Sequence, residues 1–192
     1  MFKIALNAGH YMYEAGRRVW KRFDNDETRE WVLNARICDK VTELLKDYEG
    51  YSLLRVDDPT GQSLIKLADR AKKVNDFDAD IYVSVHHNGG IYGGTGGGIM
   101  AYTYPYVDDA TRRLQKMLYD KLIEHTGLSG NRATPLAVAD FAECRLTKMP
   151  AVLLECGFMD SATDGFKCFK SKLTLCSRES CRSLAPDLSL DF

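Results

Sequence analysis

Apolar residues occur in short runs that alternate with longer segments of helical spacing. Five of the runs predict β-strands: Phe2–Ala8, Tyr51–Val56, Asp80–His86, Ile99–Tyr104 and Ala151–Glu155. The third run has no polar alternation, as expected for a strand that is covered on both faces. These runs predict the strands of one sheet.

Three segments place apolar residues at intervals of three and four, which is the spacing of an amphipathic helix. They are Glu30–Lys46, Gln62–Asn75 and Asp108–Thr126, and a loop with short strands is predicted over Leu128–Arg145. Strands that alternate with helices favour the α/β class. We therefore expect a twisted, mostly parallel sheet with helices on both of its faces.

Side chains that can bind a metal or transfer a proton lie where three of the predicted strands end. His10 follows the first run, His86 closes the third, and Glu155 closes the last. Ligands of open α/β sheets bind at the carboxyl ends of the strands. A catalytic zinc needs three protein ligands and one open position, and two histidines with a carboxylate suit it. The pattern therefore predicts a metal site at this edge.

A further carboxylate is needed if the site is to hold both a ligand and a base. Glu30 opens the first predicted helix and lies near the helix face that carries Ile37, whereas Glu27 lies only three residues earlier. Composition and periodicity leave both residues open as the third ligand.

Composition excludes several classes of function. The chain has 192 residues and a formal net charge of -1, which gives no electrostatic basis for binding nucleic acid or an anionic membrane. No apolar run approaches the ~18 residues that span a bilayer, so no membrane insertion is expected. The first residues lack a signal-peptide pattern. We therefore expect synthesis in the cytoplasm without a signal peptide.

Four motifs occur in order along the chain: Leu6–His10, Glu30–Ile37, Ser84–Asn88 and Pro150–Phe158. Together they resemble the zinc-dependent N-acetylmuramoyl-L-alanine amidases, the family of phage endolysins and bacterial autolysins. The resemblance covers roughly residues 1–164. It implies the phosphorylase/hydrolase-like architecture of these amidases for a catalytic domain at 1–164. It leaves 165–192 as an atypical tail that we expect to be poorly ordered.

The resemblance also implies roles for individual residues. His10, Glu30 and His86 would hold zinc, and Glu155 would be the general base. The substrate would be peptidoglycan, cut between the lactyl group of N-acetylmuramic acid and L-alanine. Without a signal peptide, such an enzyme would reach the cell wall through a membrane opening made by a holin-type protein.

Other interpretations stay open beside this one. Asn88 and Arg145 are candidate substrate-binding residues, although Arg145 also fits a solvated loop position. His87 should point to the face of its strand opposite His86. Cys156 should alternate away from Glu155, which argues against a thiol nucleophile. A different zinc peptidase acting on wall peptides, or a non-catalytic peptidoglycan-binding module, are the alternative functions.

Overall fold

The computed structural model describes residues 1–25 and 27–165. This part of the chain contains six strands and four helices, in the order β1 (Phe2–Ala8), α1 (Glu30–Leu45), β2 (Tyr51–Arg55), α2 (Leu67–Phe77), β3 (Ile81–Asn88), β4 (Met100–Thr103), α3 (Asp109–Thr126), β5 (Leu136–Val138), α4 (Ala142–Arg145) and β6 (Ala151–Phe158). The tail that the sequence predicts to be poorly ordered lies, from residue 166 onward, outside the described residues.

The six strands form one sheet in the order β2-β1-β3-β6-β4-β5. Four of the five strand pairs are parallel, and only β4 runs antiparallel to its neighbour β6. The predicted α/β fold with a mostly parallel sheet is therefore confirmed. Because β1, β3 and β6 are adjacent and parallel, their carboxyl ends meet at the same edge.

Helices cover both faces of the sheet, as predicted. Side chains of α1 and α3 pack on one face in a cluster that includes Leu6, Val85 and Leu154. Val74 of α2 and Cys144 of α4 pack on the other face in a second cluster. Cys156 belongs to the first cluster, so it faces away from Glu155, as strand alternation predicts.

The structure corrects several predicted boundaries. The second helix begins at Leu67 and not at Gln62, because the Asp58 carboxylate accepts hydrogen bonds from the Thr60 and Ser63 N–H groups and stabilises a turn there. The stretch Leu128–Arg145 contains the helix α4 as well as a short strand. The last strand continues beyond Glu155 to Phe158.

The glycine-rich loop after β3 is attached to the end of β6. One oxygen of the buried Asp160 carboxylate accepts hydrogen bonds from three consecutive backbone N–H groups, those of Gly90, Ile91 and Tyr92, at 2.8–2.9 Å. A carboxylate on this nest of backbone donors explains the loop's shape without any bound phosphate.

Candidate metal and active site

The structure brings His10, Glu30 and His86 together at the carboxyl edge of the sheet. The Glu30 Oε1 atom lies 3.2 Å from His10 Nε2 and 3.3 Å from His86 Nδ1. One ligand atom from each residue lies within 4.8 Å of the other two. Glu30 is buried, so its charge must be balanced from within the cluster. Hydrogen bonds from the two histidines hold the Glu30 pKa well below its usual range, outweighing the effect of burial.

Local sequence explains how the three side chains meet. Gly9 lies against the imidazole of His86, and a Cβ atom placed on Gly9 would be 2.1 Å from His86 Cε1. Only glycine fits at this position. One helical turn after Glu30, the Asn34 amide donates a hydrogen bond of 3.1 Å to the Gly9 carbonyl. The start of α1 is therefore tied to the end of β1.

Glu155 lies beside this cluster on the neighbouring strand. It is the register partner of His86 in the pairing of β3 with β6. Its Oε2 atom is buried and has no hydrogen-bond partner among the described residues. Burial raises the Glu155 pKa to about 7, although the charge of His86 opposes the rise. A carboxylate with a pKa near neutrality is suited to accept and return a proton.

His87 points to the opposite face of β3, as alternation predicts. Its Nδ1–H group donates to Asn34 Oδ1 at 2.8 Å, and its backbone N–H donates to Glu30 Oε1 at 3.1 Å. Burial lowers the His87 pKa to about 4. His86 differs, because the Glu143 and Glu30 carboxylates overcome the effect of burial and raise its pKa to about 10.

The remaining predicted residues make contacts outside the cluster of His10, Glu30 and His86. The Glu27 side chain is 39% exposed and pairs with Arg18 at 3.7 Å, so the geometry places Glu30, and not Glu27, between the histidines. Asn88 Oδ1 accepts a hydrogen bond from the Gly89 N–H, and Arg145 Nε donates to Asp140. Within the described part of the chain, no hydrogen bond or ion pair joins Asn88 or Arg145 to His10, Glu30 or His86.

Two further carboxylates, which the sequence pattern does not predict, contact the histidines of the site. Glu143 Oε2 lies 3.2 Å from His86 Nε2, and Glu14 Oε2 lies 2.8 Å from His10 Nδ1. Glu14 follows His10 by four residues, which is a weak signal that could have suggested a contact. Glu143 gives no such signal, because it reaches His86 across a separation of 57 residues.

A comparison with protein-family models identifies the family of this chain. A model described as N-acetylmuramoyl-L-alanine amidase matches residues 4–173, which is most of the chain. The chain belongs to this amidase family. The resemblance inferred from the four motifs is thereby confirmed.

Individual relatives agree with the family assignment. The chain is 34% identical over 168 residues to a sporulation-specific N-acetylmuramoyl-L-alanine amidase of Bacillus subtilis (strain 168), covering 87% of this chain and 60% of the relative. It is 33% identical over 163 residues to an endolysin of Bacillus phage SPP1, covering 82% and 55%. The chain thus spans little more than half the length of these relatives.

Solved amidase structures share the fold. An N-acetylmuramoyl-L-alanine amidase from Clostridium difficile 630 superposes with a TM-score of 0.82 at 22% identity, over 100% of this chain and 98% of that one. The catalytic domain of CwlV, from Bacillus (Paenibacillus) polymyxa var. colistinus, gives a TM-score of 0.72 at 22% identity, over 97% of this chain and 93% of that one.

None of the helices described in the structure is long and apolar enough to cross a membrane.

Proposed function

We propose that this amidase-family chain hydrolyses peptidoglycan at the amide bond between the lactyl group of N-acetylmuramic acid and L-alanine. The observation that supports this most directly is a buried Glu155 oxygen beside the cluster of His10, Glu30 and His86, which has no hydrogen-bond partner among residues 1–25 and 27–165. A base next to a cluster that can hold a cation is the arrangement expected of a metal-assisted hydrolase.

Zinc fits the cluster. Two histidines and one glutamate form a donor set that is common in catalytic zinc sites. Glu30 Oε2 is buried and has no hydrogen-bond partner among the described residues, although its Oε1 atom contacts both histidines. We propose that His10 Nε2, His86 Nδ1 and the Glu30 carboxylate hold the metal. When bound, zinc would polarise the scissile carbonyl and lower the pKa of a water molecule.

Glu155 would carry the proton during the reaction. It would accept a proton from the attacking water while the water oxygen forms a bond to the lactyl carbonyl carbon. As the carbon–nitrogen bond breaks, Glu155 would return the proton to the departing L-alanine nitrogen. Its pKa of about 7 and its position beside His86 support both halves of this transfer.

The remaining assignments are also proposals. We propose that residues 1–164 form the catalytic domain and that it acts on the cell wall, as the name of the phage endolysin relative suggests. Asn88 and Arg145 stay candidates for binding the substrate, with Arg145 available only if its pairing with Asp140 yields to a substrate carboxylate. Holin-type release remains a prediction from the sequence.

Metal analysis combined with digestion of purified peptidoglycan tests the proposal. The protein should contain about one zinc, lose activity with a chelator and recover it with added zinc. The products should carry new L-alanine amino termini, since a peptidase acting within the wall peptides would expose other residues. Soluble products without new amino termini, or binding without hydrolysis, would contradict an amidase.

A Glu155→Gln variant tests the role of the base. It should keep its zinc and lose about 10²- to 10⁴-fold in hydrolysis, the range typical of general acid–base groups. Glu124→Gln is the matched control, because Glu124 is exposed on α3 and pairs with Lys121 on the same helix. Lysis at an unchanged rate by Glu155→Gln would rule out the mechanism.

A further inference from the structure

Glu143 is a buried carboxylate for which the proposed reaction has no use. It lies on the short helix α4, on the sheet face that carries His86, and its side chain is 5% exposed. One oxygen, Oε2, lies 3.2 Å from His86 Nε2. A buried carboxylate requires hydrogen bonds or a counter-charge, so this contact calls for an explanation.

The two ring nitrogens of His86 face different carboxylates. Nδ1 lies 3.3 Å from Glu30 Oε1, on the side where the metal ligands converge, and Nε2 faces Glu143. A carboxylate can only accept a hydrogen bond, so the contact with Glu143 requires a hydrogen on Nε2. In the neutral imidazole that binds a metal, the Nδ1 lone pair is then free.

We propose that Glu143 is a positioning residue that fixes the Nε2–H tautomer and the ring orientation of His86, so that Nδ1 faces the metal. The inference rests on the proposed zinc site and assigns a residue that acts through one of its ligands. Carboxylates that hold the outer nitrogen of a ligating histidine typically change metal affinity by about 10- to 100-fold.

Glu143 is itself fixed by neighbours that reach across the sheet. The Asn7 amide donates to Oε1 at 2.9 Å, and the Ser84 hydroxyl donates to Oε2 at 3.2 Å. Arg70 Nη1 lies 3.6 Å from Oε1 and supplies a buried positive charge. Because Arg70 balances the charge of Glu143, the carboxylate can stay ionised while His86 is neutral.

The same network reaches the other histidine. Arg70 Nη2 donates a hydrogen bond of 2.9 Å to the carbonyl oxygen of His10, whose backbone has a φ of 67°. This left-handed conformation is unfavourable for a residue with a side chain and needs support from its surroundings. Arg70 therefore links Glu143 to the backbone that presents the second histidine.

His10 provides a comparison within the same site. Its Nδ1 atom contacts Glu14 Oε2 at 2.8 Å, so each histidine has a carboxylate on the nitrogen that faces away from Glu30. The Glu14 side chain is 34% exposed. Water can replace a lost hydrogen bond at Glu14 but not at the buried Glu143, so the loss of Glu143 should have the larger effect.

Zinc affinity of the full chain, measured by competition with a chromophoric chelator, tests the proposal. Glu143→Gln keeps the volume of the side chain and should raise the zinc dissociation constant by about 10- to 100-fold. Glu14→Gln is the matched variant and should raise it less. A zinc dissociation constant of Glu143→Gln within twofold of wild type would overturn the proposal, as would equal losses in the two variants.

A spectroscopic readout separates positioning from general support of the fold. In zinc-loaded protein labelled with ¹⁵N-histidine, the His86 Nε2–H proton should resonate far downfield and exchange slowly, and Glu143→Gln should shift it upfield. If that variant does not fold, the spectrum of the zinc-loaded wild-type protein still tests the proposal. Absence of a downfield His86 Nε2–H resonance would overturn it. A wild-type protein that binds no zinc would instead overturn the proposed function, and this assignment with it.

Discussion

The two faces of β3 present neighbouring histidines to opposite surroundings. On one face, His86 meets the carboxylates of Glu30 and Glu143 and lies beside Glu155. On the other face, the His87 ring contacts the side-chain amide of Asn34, and Glu30 is reached only by the His87 backbone N–H. One residue of displacement along a strand thus separates a histidine whose ring contacts two carboxylates from a histidine whose ring contacts a neutral amide.

This difference shows how a sheet can assign different chemistry to adjacent residues of the same type. The carboxylates around His86 favour a positive charge there, whether a proton or a metal ion. Burial without a carboxylate partner for the ring keeps His87 neutral, with a pKa of about 4. The neutral ring can then serve as a fixed donor to Asn34, which in turn holds Gly9.

Replacing each of the two histidines in turn should give the largest difference in zinc binding between the two faces of β3. His86→Ala should weaken zinc binding by more than about 100-fold and abolish hydrolysis. This loss is larger than the one caused by removing a residue that only contacts a metal ligand. His87→Asn should retain zinc within about tenfold, because the asparagine amide can still donate to Asn34. Zinc stoichiometry after dialysis measures both, and equal losses would show that the wrong histidine is assigned as the ligand.

The two histidines should also give the metal-free protein opposite pH dependences. His87 has a folded pKa of about 4 against a usual 6.5, so its contribution is present above pH 6.5 and is lost as the pH falls towards 4. The loss amounts to about 3 kcal/mol, since one pKa unit corresponds to about 1.4 kcal/mol. For His86, whose pKa is raised to about 10, the contribution is present below pH 6.5 and is lost as the pH rises through 10.

Denaturant unfolding in the presence of a chelator measures this effect. The free energy of unfolding of His87→Asn, which cannot titrate at this position, should fall less than that of wild type between pH 7 and pH 4. A difference between the two proteins that stays constant over this range would mean that His87 is not held neutral in the folded state.

Gly9→Ala should disturb the His86 face more than the His87 face, which Gly9 reaches only through Asn34. The new methyl group would overlap the His86 ring, so the ring must move, at a cost of about 1–3 kcal/mol for overpacking. We expect weaker zinc binding and a lower unfolding temperature. Gly89→Ala is the matched control, because its Cβ would have only one neighbour, Asp160 Oδ1 at 3.9 Å. Equal zinc affinities for the two variants would contradict the close approach.

The smallest effect should come from a change at Glu27, the other candidate for the third ligand. Glu27→Ala removes a side chain that is 39% exposed and pairs with Arg18 at 3.7 Å, and surface pairs of this kind contribute about 0–1 kcal/mol. Zinc content and activity should therefore match wild type, whereas Glu30→Ala should lose both. Loss of zinc in Glu27→Ala would mean that the loop before α1 rearranges when the metal binds.

Much of the site could be predicted because it follows from strand ends. His10, His86 and Glu155 come from three adjacent parallel strands, and the sheet alone brings them together. Glu30 was separated from Glu27 only by resemblance to a family, since both lie close to the helix start. The geometry distinguishes them because Glu27 has a φ of 47° and lies outside α1, while Glu30 begins it.

The supporting network could not be predicted, for physical reasons. Asn7 and Glu143 are 136 residues apart, and Arg70 and Glu143 meet only because α2 and α4 pack on the same sheet face. No local periodicity encodes such contacts. The start of α2 at Leu67, later than the predicted Gln62, was missed because the hydrogen bonds that the Asp58 carboxylate accepts from the Thr60 and Ser63 N–H groups compete with helix formation there.

The attachment of the glycine-rich loop to Asp160 has a consequence for the evolution of this surface. The carboxylate accepts hydrogen bonds only from backbone N–H groups, so its bonds to Ile91 and Tyr92 do not depend on which side chains these positions carry. Substitutions at these two positions can therefore alter what the loop presents to its surroundings while its anchor persists. Evolution can thus vary the side chains that this surface presents while Asp160 keeps its hydrogen bonds to the loop backbone.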